Sequence, residues 1–332
     1  MSKKVSTKRI AILGGGPCGL FIYKRLIESG LKNIEIEIFE RKAFLGSGMP
    51  YSPEGAAQEH ITNVSDNEIP IIYNSIEDWV KIAPQSILKK FDINSSKFNE
   101  YKVLPRLFFG EYLSAQFDLL MAAAEKKAIS TKVHLRTTVT NVFDDKENKK
   151  VKVQIDNKDE LIFDEIMICT GHHWPKKYEG KIPGYFDAPY PPKKLAKHFN
   201  APIALKGSSL TAVDAIRTLA RNNGVFTQND DGTYLFKLDP KSSKFKIVMH
   251  SRNGLLPAIR FHLEDSHLGK DTTLSKKQIQ KHIKENGGFI ALDYVFEKNF
   301  KEQFKKKEPK FYERIKDMDL ETFVDAMMDY RE

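Results

Sequence analysis

The sequence predicts an α/β fold built from two strand–turn–helix units of unequal size, the first carrying an inserted β-meander. Three observations predict it. An apolar run feeds a glycine-rich turn and then a helical pattern over residues 10–29. A smaller strand-and-helix pattern recurs over residues 202–222. Between the two lies a stretch in which apolar and polar residues alternate with the period of two expected of strands. The 332 residues are enough for about two domains.

The first unit opens on Ile10-Ala11-Ile12-Leu13 and turns at Gly14-Gly15-Gly16-Pro17-Cys18-Gly19. Gly14, Gly16 and Gly19 hold the three places of a G-x-G-x-x-G pattern. Gly14 permits a tight turn, Gly16 leaves the backbone bare for a diphosphate, and Gly19 lets helix and strand close on each other. A helix is expected from about Leu20 to Ser29, with Leu20, Tyr23 and Ile27 on one face and Gly30 as its stop. Its start offers unpaired N–H groups and a partial charge of roughly +0.5 to phosphates. Ile34 to Phe39 then alternates as a strand and ends at Glu40, 21 positions after Gly19, where a ribose-binding carboxylate belongs. Strand, glycine turn, helix, strand and acid together point to a dinucleotide site, flanked by Pro17, Cys18 and Arg41. A plain βαβ packing unit would not need three glycines and a terminal acid at once.

Composition narrows the class. Hydrophobic residues make up 41%, ordinary for a globular chain with a real core. No apolar run is long enough to span a bilayer, and Met1 to Lys8 is polar without a signal core behind it, so a cytoplasmic protein is expected. The two cysteines, Cys18 and Cys169, form no C-x-x-C, which argues against a dithiol reductase; small buried packing is their expected role. The net charge of +9 lies largely in mixed-charge segments such as 144–152 and 301–310, read as solvated faces. No aromatic-plus-basic module is visible, so nucleic acid is not an expected partner, and attraction of anionic substrates or cofactors is a more modest use of the charge. Nothing bears on oligomeric state.

After Arg41, Leu45-Gly46-Ser47-Gly48-Met49-Pro50-Tyr51 reads as a loop, followed by His60-Ile61-Thr62-Asn63-Val64. These two motifs resemble the FAD/NAD(P)-binding domain family that includes the FAD-dependent urate hydroxylase type, a flavin monooxygenase-like group. The resemblance implies that Gly48, Met49, Pro50, Tyr51 and Asn63 face the isoalloxazine or ribityl chain of FAD. His60 is either a catalytic residue or a satisfied histidine at a loop edge. Residues 76–98 read as helical or irregular with Trp79 in the core. Leu104-Pro105-Arg106 to Leu113 then opens a helix and matches another family stretch, which implies Arg106 beside FAD. A guanidinium fork suits a phosphate or a polar ring edge; the alternative is an arginine fastening a loop.

The alternating section follows: a strand over 133–142, further strands over 151–155, 161–163 and 166–168, and a turn at 156–159. It is read as a meander, and the resemblance assigns its first strand a backbone contact to adenine at about Val139. Asp164 to His172 resembles the family's second FAD fingerprint, ending in Thr170 and Gly171, where a small residue meets the cofactor. His172 is a second candidate acid or base, or a surface histidine at a strand end. Proline and glycine then make 174–192 a long connection.

The second unit begins at Pro202 to Gly207. A helix is expected over about 209–222, a hairpin or loop at 229–232, and a strand over 245–250. Leu210-Thr211-Ala212-Val213-Asp214 and Ser251-Arg252-x-Gly254-x-x-Pro257 are similar to the family's nicotinamide-nucleotide unit. The resemblance implies Gly207 and Ser209 at the diphosphate and Arg252 at a 2′-phosphate, which favours NADPH. Ser209 departs from the pattern, because it replaces the middle glycine. Helices are expected at 278–286 and 302–314, and a last one with Leu320, Phe323, Val324, Met327 and Met328 on one face. No later glycine-bearing strand returns to the first unit, as it would in the family. The chain therefore reads as shorter than its relatives, as one with a less enclosed flavin, or as a fragment.

The expected architecture is a Rossmann-like FAD-binding domain with a β-meander insertion over 1–195, a smaller Rossmann-like NAD(P)-binding unit over 196–260, and a charged helical segment over 261–332. The resemblance implies an FAD-dependent oxidoreductase, a monooxygenase taking electrons from NAD(P)H and acting on a small molecule. The alternative is a dinucleotide-binding regulatory or partner subunit without turnover.

Overall fold

A computed structural model describes residues 7–156, 159–172, 174–252, 254–256 and 274–331. Pro257, the boundary expected at 260/261, part of the turn at 156–159 and most of the polar amino-terminal segment lie outside the described residues. The chain divides into two compact units, Met1–His262 and Leu263–Glu332.

In the first unit, β1 (Lys8–Leu13) leads into α1 (Pro17–Glu28) and β2 (Ile34–Glu40). Pro17 starts the helix three residues earlier than expected, because proline is suited to a first turn whose N–H groups have no partner anyway. Two short helices, α2 (Ile76–Ile82) and α3 (Gln85–Lys90), precede the long α4 (Arg106–Lys126). The strand expected over 133–142 is two strands. β3 (Ser130–Leu135) pairs in parallel with β2, and β4 (Val139–Asp145) turns away to pair with β5 (Lys150–Ile155). Arg136, at φ 53°, makes the bend, and the N–H groups of Arg136 and Thr137 are tied to the carbonyls of Lys42 and Glu40. β6 (Asp159–Phe163) completes the antiparallel meander, and β7 (Glu165–Ile168) returns to lie beside β1. The main sheet therefore runs β3-β2-β1-β7, all parallel.

The period-two alternation of β1 divides the core. Ile10 and Ile12 face α1 and α4, while Ala11 and Leu13 face Val153, Ile155 and Phe163 of the meander. Helices on one face and a meander on the other leave the carboxyl ends of the parallel strands as the open edge.

The smaller half of this unit holds β8 (Pro202–Lys206), α5 (Leu210–Asn223) and the exposed hairpin β9 (Gly224–Gln228) and β10 (Tyr234–Leu238). Then β11 (Lys246–His250) pairs in parallel with β8. Leu195, Ala215, Leu219 and Phe245 form its core.

The second compact unit is helical: α6 (Lys276–Glu285), α7 (Leu292–Phe296), a π turn at Glu297–Lys301, α8 (Phe304–Lys307), α9 (Pro309–Ile315) and α10 (Leu320–Arg331). Phe311, Ile315, Phe323 and Ala326 are its centre. Of the face expected on α10, Leu320, Val324 and Met328 are exposed. Val324 and Met328 sit about 100° and 140° round the helix from Phe323, beyond the stripe that Phe323 and Ala326 bury. Among the described residues, no helix is long and apolar enough to cross a membrane.

Candidate cofactor site

The glycine turn sits at the carboxyl end of β1, between β2 and β7, where neighbouring strands lead away on either side. Gly14 has φ +109°, and a Cβ there would lie 2.2 Å from the Cys169 carbonyl oxygen. A Cβ on Gly19 would lie 2.1 Å from the Gly14 oxygen, so that glycine sets how closely α1 meets β1. Gly16 is the N-cap of α1 and supplies no side chain to its first turn. Its Cα faces the Gly48 loop, and a Cβ there would stand 3.1 Å from the Gly48 Cα. The first-turn amides are thus bare backbone at the positive end of a helix, the donor set a diphosphate requires.

Glu40 ends β2 and is buried. Its Oε2 accepts the Gly15 N–H at 2.8 Å and its Oε1 accepts the Lys42 N–H at 2.9 Å. Each oxygen keeps a second lone pair for a ribose diol. Lys42, which sequence reasoning did not single out, has a side chain only 8% exposed. Its amine donates to the Gly48 carbonyl at 3.1 Å and to the Ser52 hydroxyl at 3.0 Å, and pairs with Glu54 at 2.8 Å. It fastens the loop carrying Gly48, Met49, Pro50 and Tyr51. Tyr51 meets Phe109 edge-on at 4.8 Å.

Two hollows adjoin this edge and share Arg41. One, of about 690 Å³, is lined by Arg41, Lys42, Phe44, Glu54 and Thr138, next to Val139 at the start of β4. The other, of about 200 Å³, is lined by Arg41, Met49, His172, Trp174 and Tyr190, with the 175–194 connection as its far wall. Asp187 shapes that wall, because its Oδ2 accepts the N–H groups of Lys177, Tyr178 and Glu179. Trp174 stacks on Tyr190 with centroids 5.1 Å apart, and His172 meets Trp174 edge-on. Thr170, Gly171 and His172 are exposed at the end of β7. These features fit a dinucleotide laid across the strand ends.

Cys18 corrects an expectation. It is exposed, while Cys169 is buried. The buried stripe of α1 is Gly19, Leu20, Tyr23 and Ile27, and Cys18 falls outside it. Burial pushes the Cys169 thiol up to about 12, with the Cys18 thiol as a further cause, so Cys169 stays a packed thiol.

His60, Asn63 and Arg106 gather elsewhere, against α5. Arg106 donates from Nη1 to Asp214 Oδ2 at 2.6 Å, from Nε to the Ile61 carbonyl at 2.8 Å, and from Nη2 to Asn63 Oδ1 at 3.2 Å. The Tyr190 hydroxyl donates to the same Asp214 oxygen. His60 is 1% exposed. Its Nδ1 accepts the Ala57 N–H at 3.3 Å, which leaves the proton on Nε2, 3.0 Å from the Thr218 hydroxyl. That hydroxyl donates to Glu59 Oε1 at 2.7 Å. Burial holds the imidazole below its ordinary range, against the pull of Asp214 and Glu59. His60 therefore sits as a neutral, fully engaged side chain, and the cavity lining includes His172 instead. Sequence reasoning gave no role to Asp214, Thr218, Glu59 or Tyr190. The one available signal was Asp214, Arg217 and Thr218 at i, i+3 and i+4, polar side chains sharing one helical face.

In the smaller half, Gly207 has φ +111° and its N–H donates to the His250 carbonyl at 2.8 Å, joining the ends of β8 and β11. Ser209 is the N-cap of α5 and makes no side-chain cap. Arg252 is exposed two residues beyond β11.

Residues 11–173, which carry every one of these glycine and carboxylate features of the first sheet, match the family described as FAD-NAD(P)-binding. The amino-terminal part is similar to FAD-NAD(P)-binding domains. Residues 275–332 match a YdhS-like middle domain. The Escherichia coli (strain K12) protein YdhS is 30% identical over 325 residues, 96% of this chain and 59% of that protein. The thiol-specific monooxygenase of Saccharomyces cerevisiae is 30% identical over 188 residues, 53% of this chain and 37% of its own length. The trimethylamine monooxygenase of Pelagibacter ubique is 25% identical over 171 residues, 49% of this chain and 36% of the enzyme. The chain thus spans about three fifths of the E. coli relative and under two fifths of these two monooxygenases. Among solved structures, an open cyclohexanone monooxygenase superposes with TM-score 0.41 at 14% identity, over 65% of this chain and 38% of that one. The match ends before the smaller half begins, so Gly207, Ser209 and Arg252 lie outside the matched residues.

Proposed function

We propose that the chain is an FAD-dependent oxidoreductase of monooxygenase type, reduced by NADPH and acting on a small molecule. The observation that carries this is the bare, uncapped first turn of α1 at the same sheet edge as the buried Glu40 carboxylate. The N–H groups of Gly16, Cys18 and Gly19 would hold the diphosphate, Pro17 having none to offer, and Glu40 would accept the ribose hydroxyls. Backbone groups at Val139 meet adenine, beside Arg41. Gly48, Met49, Pro50 and Tyr51 line the flavin side, with Thr170 and Gly171 opposite. Bound FAD supplies electron storage and oxygen activation.

The chain's own residues supply position and dryness. Trp174, Tyr190 and Met49 exclude water from the smaller hollow. His172, at its edge, is the side chain we assign to proton transfer, since an imidazole ring can both accept and donate a proton. In the smaller half, the amides after Gly207 and the hydroxyl of Ser209 receive the NADPH diphosphate, and Arg252 its 2′-phosphate. The division into an FAD domain over 1–195 and a nicotinamide-nucleotide unit over 196–260 follows from these two seats. A cytoplasmic location fits NADPH as donor. The urate hydroxylase type rests on the loop motifs alone, with no side chain selecting a purine.

The second reading, a nucleotide-binding partner subunit without turnover, is favoured by Ser209 in place of a glycine. An anaerobic visible spectrum separates the two. The purified protein is expected to be yellow and to bleach on addition of NADPH. A yellow protein that dithionite bleaches and NADPH does not would support the partner subunit.

A further inference from the structure

Three polar side chains of α5 bond to residues of the larger half. Asp214, Arg217 and Thr218 stand at i, i+3 and i+4, so they share one face. Asp214 holds Arg106 and Tyr190, Thr218 holds His60 and Glu59, and the Arg217 guanidinium donates to the Glu59 carbonyl at 2.8 Å. The partners come from three places: the 57–63 segment that follows the Gly48 loop, the first residue of α4, and Tyr190 in the 174–192 connection. The ion pair at the centre is largely shut off from solvent, with side chains 12% and 6% exposed. Burial and the adjoining Asp214 carboxylate hold Tyr190 as a neutral phenol donor.

Two positions give this contact its meaning. Arg106 also grips Asn63, so one end lies against the segment beside the flavin loop. Asp214 lies four residues into α5 from its start at Leu210, roughly 6 Å along the axis at about 1.5 Å per residue. The other end is therefore one turn from the helix terminus assigned above to the NADPH diphosphate. A buried charge pair between two small bodies is a costly way to gain cohesion but a specific way to fix an angle. Tyr190 adds a third anchor, and its ring also forms the wall of the smaller hollow.

We propose that Arg106, Asp214 and Tyr190 form a positioning clamp that sets the smaller half at the distance and angle needed for NADPH to reach the flavin. Its role in electron entry rests on reading the smaller half as the NADPH unit; its role in holding α5 does not. Asp214 and Tyr190 are positioning residues, acting through Arg106 and α5 rather than by touching a reacting atom.

The test uses the full-length protein with Asp214→Asn, Tyr190→Phe and the conservative Asp214→Glu. Without added nucleotide, amide hydrogen exchange over 210–218 is expected to rise about tenfold in Asp214→Asn and less in Tyr190→Phe, while exchange in β1 and β2 stays at the wild-type rate. With FAD bound, flavin content is expected to hold. NADPH-driven bleaching is expected to slow by about 100-fold in Asp214→Asn, the cost of a misplacement near 1 Å, with dithionite bleaching unchanged and Asp214→Glu recovering most of the rate. Tyr190→Phe covers the case in which Asp214→Asn does not fold. Wild-type exchange at α5 in both Asp214→Asn and Tyr190→Phe, or in Tyr190→Phe if it alone folds, would overturn the clamp. So would flavin content and NADPH rate falling in equal proportion. If NADPH fails to bleach the wild type itself, the NADPH assignment falls, and the exchange result still decides whether α5 is clamped.

Discussion

His60 shows how much a single residue's meaning depends on its surroundings. As a histidine in the 60–64 motif it was either a catalytic residue or a satisfied side chain; the fold buries it among Asp214, Glu59, Arg106 and Tyr190 with both ring nitrogens used. Burial lowers its proton affinity below the ordinary value near 6.5. Between the folded and unfolded values the unfolded chain binds more protons, so stability falls as pH drops through 6.5 toward the folded value and is steady above it. His60→Gln, which cannot titrate, is expected to flatten that part of the curve in urea unfolding from pH 7.5 to 5; an unchanged slope would refute it. Arg106 teaches the same lesson. Its guanidinium fork was legible as a device for gripping an oxygen, but its partner Asp214 lies 108 residues away. Nothing local in a sequence announces such a pairing. The Cys18 side chain, one position off the buried stripe of α1, was misjudged because a glycine-rich turn gives too short a helical pattern to fix its phase.

At the scale of elements, legibility followed locality. The glycine turn, α1, β2 and Glu40 form a contiguous run whose periodicity and punctuation suffice to place it. The split of 133–142 into β3 and β4 was hidden, because a strand that pairs in parallel with β2 and one that pairs with β5 have the same alternating pattern. The partners, not the residues, distinguish them. The loop over 46–54 is fastened by the buried Lys42 amine with its three oxygen partners, beside the Gly46 N–H on the Gly15 carbonyl and the Tyr51–Phe109 contact. Lys42→Met is expected to cost about 2 kcal/mol in chemical unfolding, in line with hydrogen bonds to a charged group, and to speed amide exchange over 46–54. Exchange confined to other segments would show that the loop is held otherwise.

For the whole molecule, the parallel order β3-β2-β1-β7 accounts for why residues as far apart as Gly14, Glu40, Val139 and Thr170 were separate motifs in the sequence yet reach one edge. They are the carboxyl ends of successive parallel strands, or the residues just beyond them. The central claim is that the amides of this edge seat the diphosphate of FAD. Gly16 has φ −78°, which any residue adopts, so Gly16→Val tests space rather than backbone strain. The decisive measurement is FAD bound per chain in wild type and Gly16→Val, each shown to be folded by circular dichroism. Close to one FAD in the wild type and almost none in the variant is the predicted result; a folded wild type that takes up no FAD, or a variant that keeps it, would contradict the account.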